Sequence, residues 1–356
     1  MLSDTLDKFI KAETTVGAQT QGTQANGYDA DLWAKMAALG VLGALFTEEQ
    51  GGFGGHGFDA MVVCQALGRG CVRTPIIEST VMGGTIAAAI MSPDQLTKVI
   101  DGTAIPILAH LEPDGGLDII DVCCEATETG AQWSLRGTKS VVVFAGSATT
   151  LYVTAKLPNN RLGLFAVDTT SPSLDQHSYA NVDGAQAADL TFHETPGTLI
   201  SADAESIVRR ALYAGMAAQC AEAVGLMTQA VTMTGEYLKT RKQFGVELAK
   251  FQALQHRFTD MMISLESAIS AAIIAANALE AAQQGDAEAI RRLHGAKYSI
   301  CQCSMHIGEE AVQMHGGIGV TWEYDLSHYH KRLVGLESEL GDEDFHLSQF
   351  IALTPA

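Results

Sequence analysis

Cations are scarce in this chain: 22 lysines and arginines stand against 41 aspartates and glutamates in 356 residues, a formal net charge of −19. A field of that sign excludes bare nucleic acid and anionic membrane surfaces as partners unless a local basic patch overrides it, and the sequence holds no such patch. Cysteines are few and odd in number. The seven of them (Cys64, Cys71, Cys123, Cys124, Cys220, Cys301, Cys303) are scattered, mostly through apolar stretches, and fit buried thiols in a reducing compartment rather than a disulfide framework. No second Cys or His pair stands at zinc spacing from Cys301-Gln-Cys303, and on a helix those two thiols lie about 200° apart. No metal is therefore expected. The first ten residues lack a basic region followed by an apolar core, and no uninterrupted apolar run approaches the ~18 residues of a membrane span. The expectation is a cytoplasmic protein that stays out of the membrane. Internal repeats and low-complexity segments are absent as well.

What is present is a globular composition, 47% hydrophobic with mean hydropathy +0.12, in a chain long enough for two or three domains. Residues 1–103 read as an α-helical domain; Leu32 to Leu39 has helical apolar spacing and stops at Gly40. Gly51 to Gly55 has no following Lys-Ser/Thr and no flanking strand and helix, so it reads as a structural turn rather than a phosphate loop. Over 104–200 the pattern shortens to β-branched runs: Ala104–Leu111, Ile119–Cys124, Ser140–Ala145, Leu151–Lys156, Leu162–Val167 and Ala188–His193. With no helix-length connections between them they describe a compact antiparallel β domain and exclude a βαβ nucleotide fold. Residues 201–356 return to helix, with periodic patterns over about 204–239, 251–284, 286–314 and 324–340 and a short tail helix after Asp342. Short connections imply an antiparallel bundle. Small-residue faces (Ala217, Ala218, Ala221, Gly225; Ala268, Ala271, Ala272, Ala275, Ala276) suit close helix approach, and the surplus apolar surface suggests oligomerisation. The fold class is α+β: helices, then a β domain, then a helical bundle.

Two stretches at helix ends carry the chemistry: Arg241-Lys-Gln-Phe-Gly245 with Phe251-Gln-Ala-Leu-Gln-His-Arg257, and Gln313-Met-His-Gly-Gly-Ile-Gly319. A guanidinium presents a fixed fork of donors to phosphate, and bare glycine backbone lets a ligand approach closely. Taken alone, Arg241 reads equally as a cation at a helix C-terminus. Together with Ala221-Glu-Ala-Val-Gly225, Tyr237, Asp260-Met261 and Glu323-Tyr324, in this order and spacing, the stretches resemble the acyl-CoA dehydrogenase family over nearly the whole chain. The resemblance implies an FAD-dependent desaturation of an acyl-CoA thioester between its α and β carbons. It also implies cofactor contacts from Arg241, Gln252, Gln313, Gly316 and Gly317, with Gln243 and Phe244 beside them, reaching toward the flavin of a neighbouring subunit.

Departures from the family pattern fall on the other side of the flavin. The family's Thr-Glu-Pro-Gly-x-Gly-Ser-Asp segment corresponds to Leu111-Glu-Pro-Asp-Gly-Gly-Leu-Asp118, which keeps Glu112-Pro113 and loses the hydroxyls; its Trp-Ile-Thr becomes Val141-Val-Val143. An aliphatic side chain cannot donate a hydrogen bond to a flavin. The chemistry also requires a carboxylate to take the acidic α-proton. The two positions where the family places it hold Leu340 and Gly215, with Glu339 and Glu337 nearby but differently directed, since a helix turns about 100° per residue. The resemblance is therefore to the smaller, base-lacking subunit of bacterial steroid side-chain dehydrogenases, α2β2 heterotetramers in which a related catalytic subunit supplies base and flavin face. Such a complex implies a bulky, possibly steroid, CoA thioester and an electron-accepting flavoprotein. Two alternatives stand beside it: an autonomous dehydrogenase or oxidase with Glu339 or Glu337 as displaced base, and a non-catalytic stabilising subunit.

Overall fold

The structure, a computed structural model, describes residues 2–21, 27–113, 115, 118–130 and 132–355. Helices lead: α1 (Leu2–Glu13), α2 (Val16–Gln21), α3 (Ala30–Ala38), α4 (Gly57–Arg69), a π-helical turn over Ile76–Gly83, then α5 (Gly84–Ile90) and α6 (Pro93–Ile100). Asp29 caps α3 by accepting from the Asp31 and Leu32 amides, and Gly40, at φ +85°, ends that helical stretch as its sequence implies. Gly51 to Gly55 is a turn behind a Thr47/Gln50 capping box. Its tightness is visible at Gly52, where a Cβ would collide with the carbonyl oxygens of Gly43 and Phe46.

Strands follow: β1 (Pro106–Ala109), β2 (Glu125–Thr129), β3 (Gln132–Val143), β4 (Thr150–Lys156), β5 (Leu162–Val167), β6 (Leu174–Ala180) and β7 (Gln186–Ser201). They form one sheet in the order β1-β4-β2-β3-β7-β5, with β6 on β7 and a further β4–β5 pairing that closes it on itself. The sheet is mixed rather than purely antiparallel. Ile107 and Leu108 pair with Leu151 and Tyr152 in parallel, and β2 touches β4 in parallel at Glu125 and Lys156. Ile119 to Cys124, expected as a strand, forms turns. The amides of Cys123 and Cys124 donate to the Glu112 carboxylate at 2.5 and 3.0 Å, which satisfies them without a ladder partner. β2 and β6 lack the alternation that marks a half-buried strand, since nearly all their residues are exposed or half-exposed.

From Glu205 the chain is helical again: α7 (Glu205–Thr240), α8 (Gln252–Gln283), α9 (Ala287–His315), α10 (Leu326–Ser338) and α11 (Glu343–Ala352). Each lies within about three residues of the span its periodicity predicts. Contacts divide the chain into two compact units. One contains α1, α2, α4 and the chain from Met216 onward; the other contains α3, the sheet and the chain up to Gly215. In the first, α8 packs along α9, while α10 and α11 cover α9. The alanines Ala268, Ala271, Ala272, Ala275 and Ala276 are the buried face of α8. Among the described residues α8 is the one helix long and apolar enough to cross a membrane. Gly68 and Gly225 let α4 and α7 touch through backbone, because a Cβ at either would strike a main-chain carbonyl of the other helix.

α11 is pinned to α9 by a buried imidazole pair, His294 Nδ1 to His346 Nδ1 at 2.9 Å. Burial, then the charges of His294 and Lys297, pull the His346 imidazole down to about 3. Between that value and the ordinary 6.5 the unfolded chain binds a proton that the folded chain does not, so stability is present at neutral pH and is lost as pH falls through this window. The slope is about 1.4 kcal/mol per pH unit for this residue. Urea midpoints at pH 7 and pH 5 should differ less in His346→Asn than in the wild type. An unchanged pH slope would remove His346 as its source.

Candidate functional site

The first half of the site is built where α7 runs out. The Arg241 amide donates to the Tyr237 carbonyl at 2.8 Å, closing the last turn, and the Leu248 amide donates to the Arg241 carbonyl at 2.9 Å. Between them the chain makes a hairpin of β8 (Lys242–Gln243) and β9 (Val246–Glu247). Its two loop residues, Phe244 at φ +56° and Gly245 at φ +85°, are both left-handed, as a type I′ turn requires. Phe244 is 90% exposed, touching only the edge of the Phe251 ring at 6.2 Å among the ring contacts. A large apolar residue in left-handed backbone, held out of its own unit, is placed for something beyond that unit.

Arg241 is exposed and makes no ion pair or side-chain hydrogen bond among the described residues. Arg257 is the contrast, a fork on Glu310 at 2.6 and 2.8 Å that clamps α8 to α9. Gln243 and Gln252 are exposed, and no side chain caps the N-terminus of α8 at Phe251. That end of a 32-residue helix therefore keeps its positive character.

The second half lies where α9 ends. Gln313 is exposed, and the amide of Gly316 bonds back to Val312 and Gln313. Gly316 has φ +68° and ψ −147°, a combination open to glycine alone. Gly317 is different: its φ is ordinary and a Cβ there would meet nothing within 4 Å. No internal packing demands a glycine at 317, so its bare backbone is explained by the close approach of something else. The Tyr237 and His315 rings stack at 4.3 Å and join the two halves. An unpaired guanidinium, an uncapped helix end, exposed amides and bare backbone together fit an anionic dinucleotide such as FAD.

The isoalloxazine-side positions fall in the other unit. Asp114, Gly116 and Leu117 lie outside the described residues. Glu112 is spent internally: its Oε1 accepts from Lys139 Nζ at 2.6 Å, and the same ammonium donates to the His110 carbonyl and Thr154 Oγ1, both at 3.0 Å. Burial pulls the fully buried Lys139 below its ordinary value, opposed by Cys124 and Glu112. Burial and Lys139 also lower His110 to about 3. Val141 sits in a break of the β3–β7 register at φ +51°, an outlier for a β-branched residue. Asp189 holds it there, accepting from the Val141 amide at 3.1 Å and the Tyr179 hydroxyl at 2.9 Å.

At the base position Leu340 and Gly341 are both left-handed, at φ +58° and +108°. Glu339 is not a free carboxylate. Its Oε1 accepts from Arg332 Nη1 at 2.8 Å and its Oε2 from Gln219 Nε2 at 2.9 Å. Arg332 meanwhile forks onto Glu222 at 2.8 and 3.0 Å, and buried Lys297 donates to Gln219 Oε1 and the Leu336 carbonyl. Glu337 is half-buried, its carbonyl facing the Cys301 thiol, which burial pushes up to about 11. Gly215 is buried within α7. Sequence reasoning missed the Glu222–Arg332–Glu339 network, because Glu222 lies 110 residues from Arg332 in the chain. A signal existed at Lys297, which shares the buried stripe of Leu293, Ile300 and Ser304 and so required an internal partner. Removing the central cation strands two largely buried carboxylates. Arg332→Met should cost about 3–5 kcal/mol in urea unfolding, and Glu339→Gln much less; equal effects would contradict the network.

Comparison with known proteins gives the same picture. Residues 1–104 match the acyl-CoA dehydrogenase N-terminal domain and residues 206–352 the acyl-CoA dehydrogenase C-terminal domain. Acyl-CoA dehydrogenase IpdE2 of Mycobacterium tuberculosis is 29% identical over 314 residues, 87% of this chain and 82% of that protein. A variant of the Tcur3481-Tcur3483 steroid ACAD superimposes with TM-score 0.88 at 26% identity, over 99% of this chain and 96% of its own. The ChsE4-ChsE5 complex from Mycobacterium tuberculosis shares the fold, with TM-score 0.87 at 21% identity over 100% and 97% of the two chains. With helical N- and C-terminal parts around a mixed sheet and a cradle suited to FAD, this chain belongs to the acyl-CoA dehydrogenase family, FAD-dependent oxidoreductases acting on CH–CH bonds.

Proposed function

We propose that this chain is the base-lacking subunit of a heteromeric acyl-CoA dehydrogenase and lends its cradle to FAD held chiefly by a related catalytic subunit. The observation that carries this reading is the contrast between two ends of one unit. The cradle residues Arg241, Gln243, Phe244, Gln252, Gln313, Gly316 and Gly317 are exposed, whereas Glu339, beside the base position, is engaged on both oxygens. To swing to a substrate, Glu339 would have to give up its bonds from Arg332 Nη1 and Gln219 Nε2, so the α-proton is taken by a carboxylate of the partner. FAD, when bound, would supply the hydride acceptor for the β-carbon. Arg241 and the Gly316–Gly317 backbone neutralise and seat its phosphates and ADP end.

The substrate is a bulky acyl-CoA, of the steroid type. Likeness to a steroid ACAD with two named components favours this choice and the α2β2 assembly. Electrons pass onward to an electron-transferring flavoprotein, and the complex works in the cytoplasm. Purified alone, the chain should be colourless and inactive; co-purified with its catalytic partner it should carry visible flavin absorption and turn over. A yellow, active assembly of this chain alone would overturn the reading. In the complex, Gly317→Ala should leave the melting temperature unchanged and reduce bound flavin, since the added methyl meets no protein atom.

A further inference from the structure

The two halves of the cradle come from helices that end far apart in sequence, and three rings join them. His315, the last residue of α9, is 4% exposed and stacks on Tyr237 at 4.3 Å with an interplanar angle of 27°. Its other neighbour is Tyr324, at 5.3 Å and 50°. Tyr237 carries the carbonyl that fixes the Arg241 amide, and His315 is bonded directly to Gly316. A change in the spacing of these rings thus moves the main chain of Arg241, from which the guanidinium reaches, relative to the glycine backbone.

The imidazole does not act through polar contacts. Its Nδ1–H donates to the Ala311 carbonyl at 2.8 Å, which orients the ring, while Nε2 is buried with no hydrogen-bond partner. Burial lowers its pKa, so the ring is neutral at pH 7 and adds no positive charge toward a phosphate. What remains is its shape and its faces, stacked on Tyr237 and tilted against Tyr324.

We propose that the Tyr237–His315–Tyr324 stack is the spacer that sets the separation of Arg241 from Gly316–Gly317, and that His315 is a positioning residue for dinucleotide binding. This rests on the reading of the cradle as a half-site for FAD. Affinity for a ligand gripped at two points depends on holding both points at its own length, because any looseness must be frozen out on binding. An aromatic ring of similar size should preserve the spacing, and a small side chain should not.

The test uses the co-purified complex, stripped of flavin, with FAD affinity read by flavin fluorescence and the melting temperature of the apo-complex as control. His315→Ala should weaken FAD by about tenfold, the scale of the ring contacts it removes, while His315→Phe restores most of the affinity. Tyr237→Leu, at a half-buried site less critical to folding, should weaken FAD similarly, and Tyr237→Phe should not. Arg241→Ala separates the half-site from the spacer. If it leaves FAD affinity unchanged, the half-site reading fails. If it weakens FAD while His315→Ala and Tyr237→Leu do not, or if His315→Phe binds as poorly as His315→Ala, the spacer is overturned.

Discussion

A single guanidinium organises one end of the helical unit, where α7, α9 and α10 meet. Arg332 bridges Glu222 on α7 and Glu339 beyond the end of α10. Desolvating three ionised groups is unfavourable unless each finds its partners, and here every carboxylate oxygen does. The network extends through Gln219 to Lys297 and the Leu336 carbonyl, tying α7, α9 and α10 together beside Leu340. Leu340, expected from the sequence at the base position, is thus flanked by charges already committed to one another. The left-handed backbone at Leu340–Gly341 persists without a carboxylate upon it.

The β unit repeats this pattern on its own scale. Lys139 is fully buried in the sheet and donates to three acceptors, one of them the Glu112 carboxylate that also gathers the Cys123 and Cys124 amides. The strained bulge at Val141 follows two residues later. Backbone strain of this kind persists only when its surroundings over-determine it, as Asp189 and the β7 pairing do here. Its exposed side chain is aliphatic and can donate no hydrogen bond. By contrast, the exposed cradle at the ends of α7 and α9 keeps the side chains of Arg241, Gln243, Gln252 and Gln313 free of partners among the described residues. One chain has thus closed one functional region and kept another open.

Legibility in the sequence followed the range of the interactions. Long helices were readable because their apolar spacing is local, and their ends were marked by Gly285 or Gly316. Strands β4 and β5 were readable because their runs are short, apolar and buried. The polar strands β2 and β6 were not: Glu125-Ala-Thr-Glu-Thr129 carries no alternation, and its pairing is imposed by the stronger neighbour β3. Ile119 to Cys124 was misread for the opposite reason. Its apolar composition suits a strand, yet a carboxylate seven residues upstream captures its amides.

By itself, the sequence determined the order of helices, strands and helices, the family motifs, and the absence of a carboxylate at residues 215 and 340, because each is a property of neighbouring residues and their spacing. Only the tertiary structure decided whether a nearby glutamate was free. Glu339 is available or engaged according to where Arg332 and Gln219 come to rest, and Gln219 lies 120 residues away. The same holds for the cradle: the ends of α7 and α9 are brought together in the fold, where Tyr237 stacks on His315. Ion pairing and ring stacking act over a few ångströms in space, and no local pattern in a chain records them.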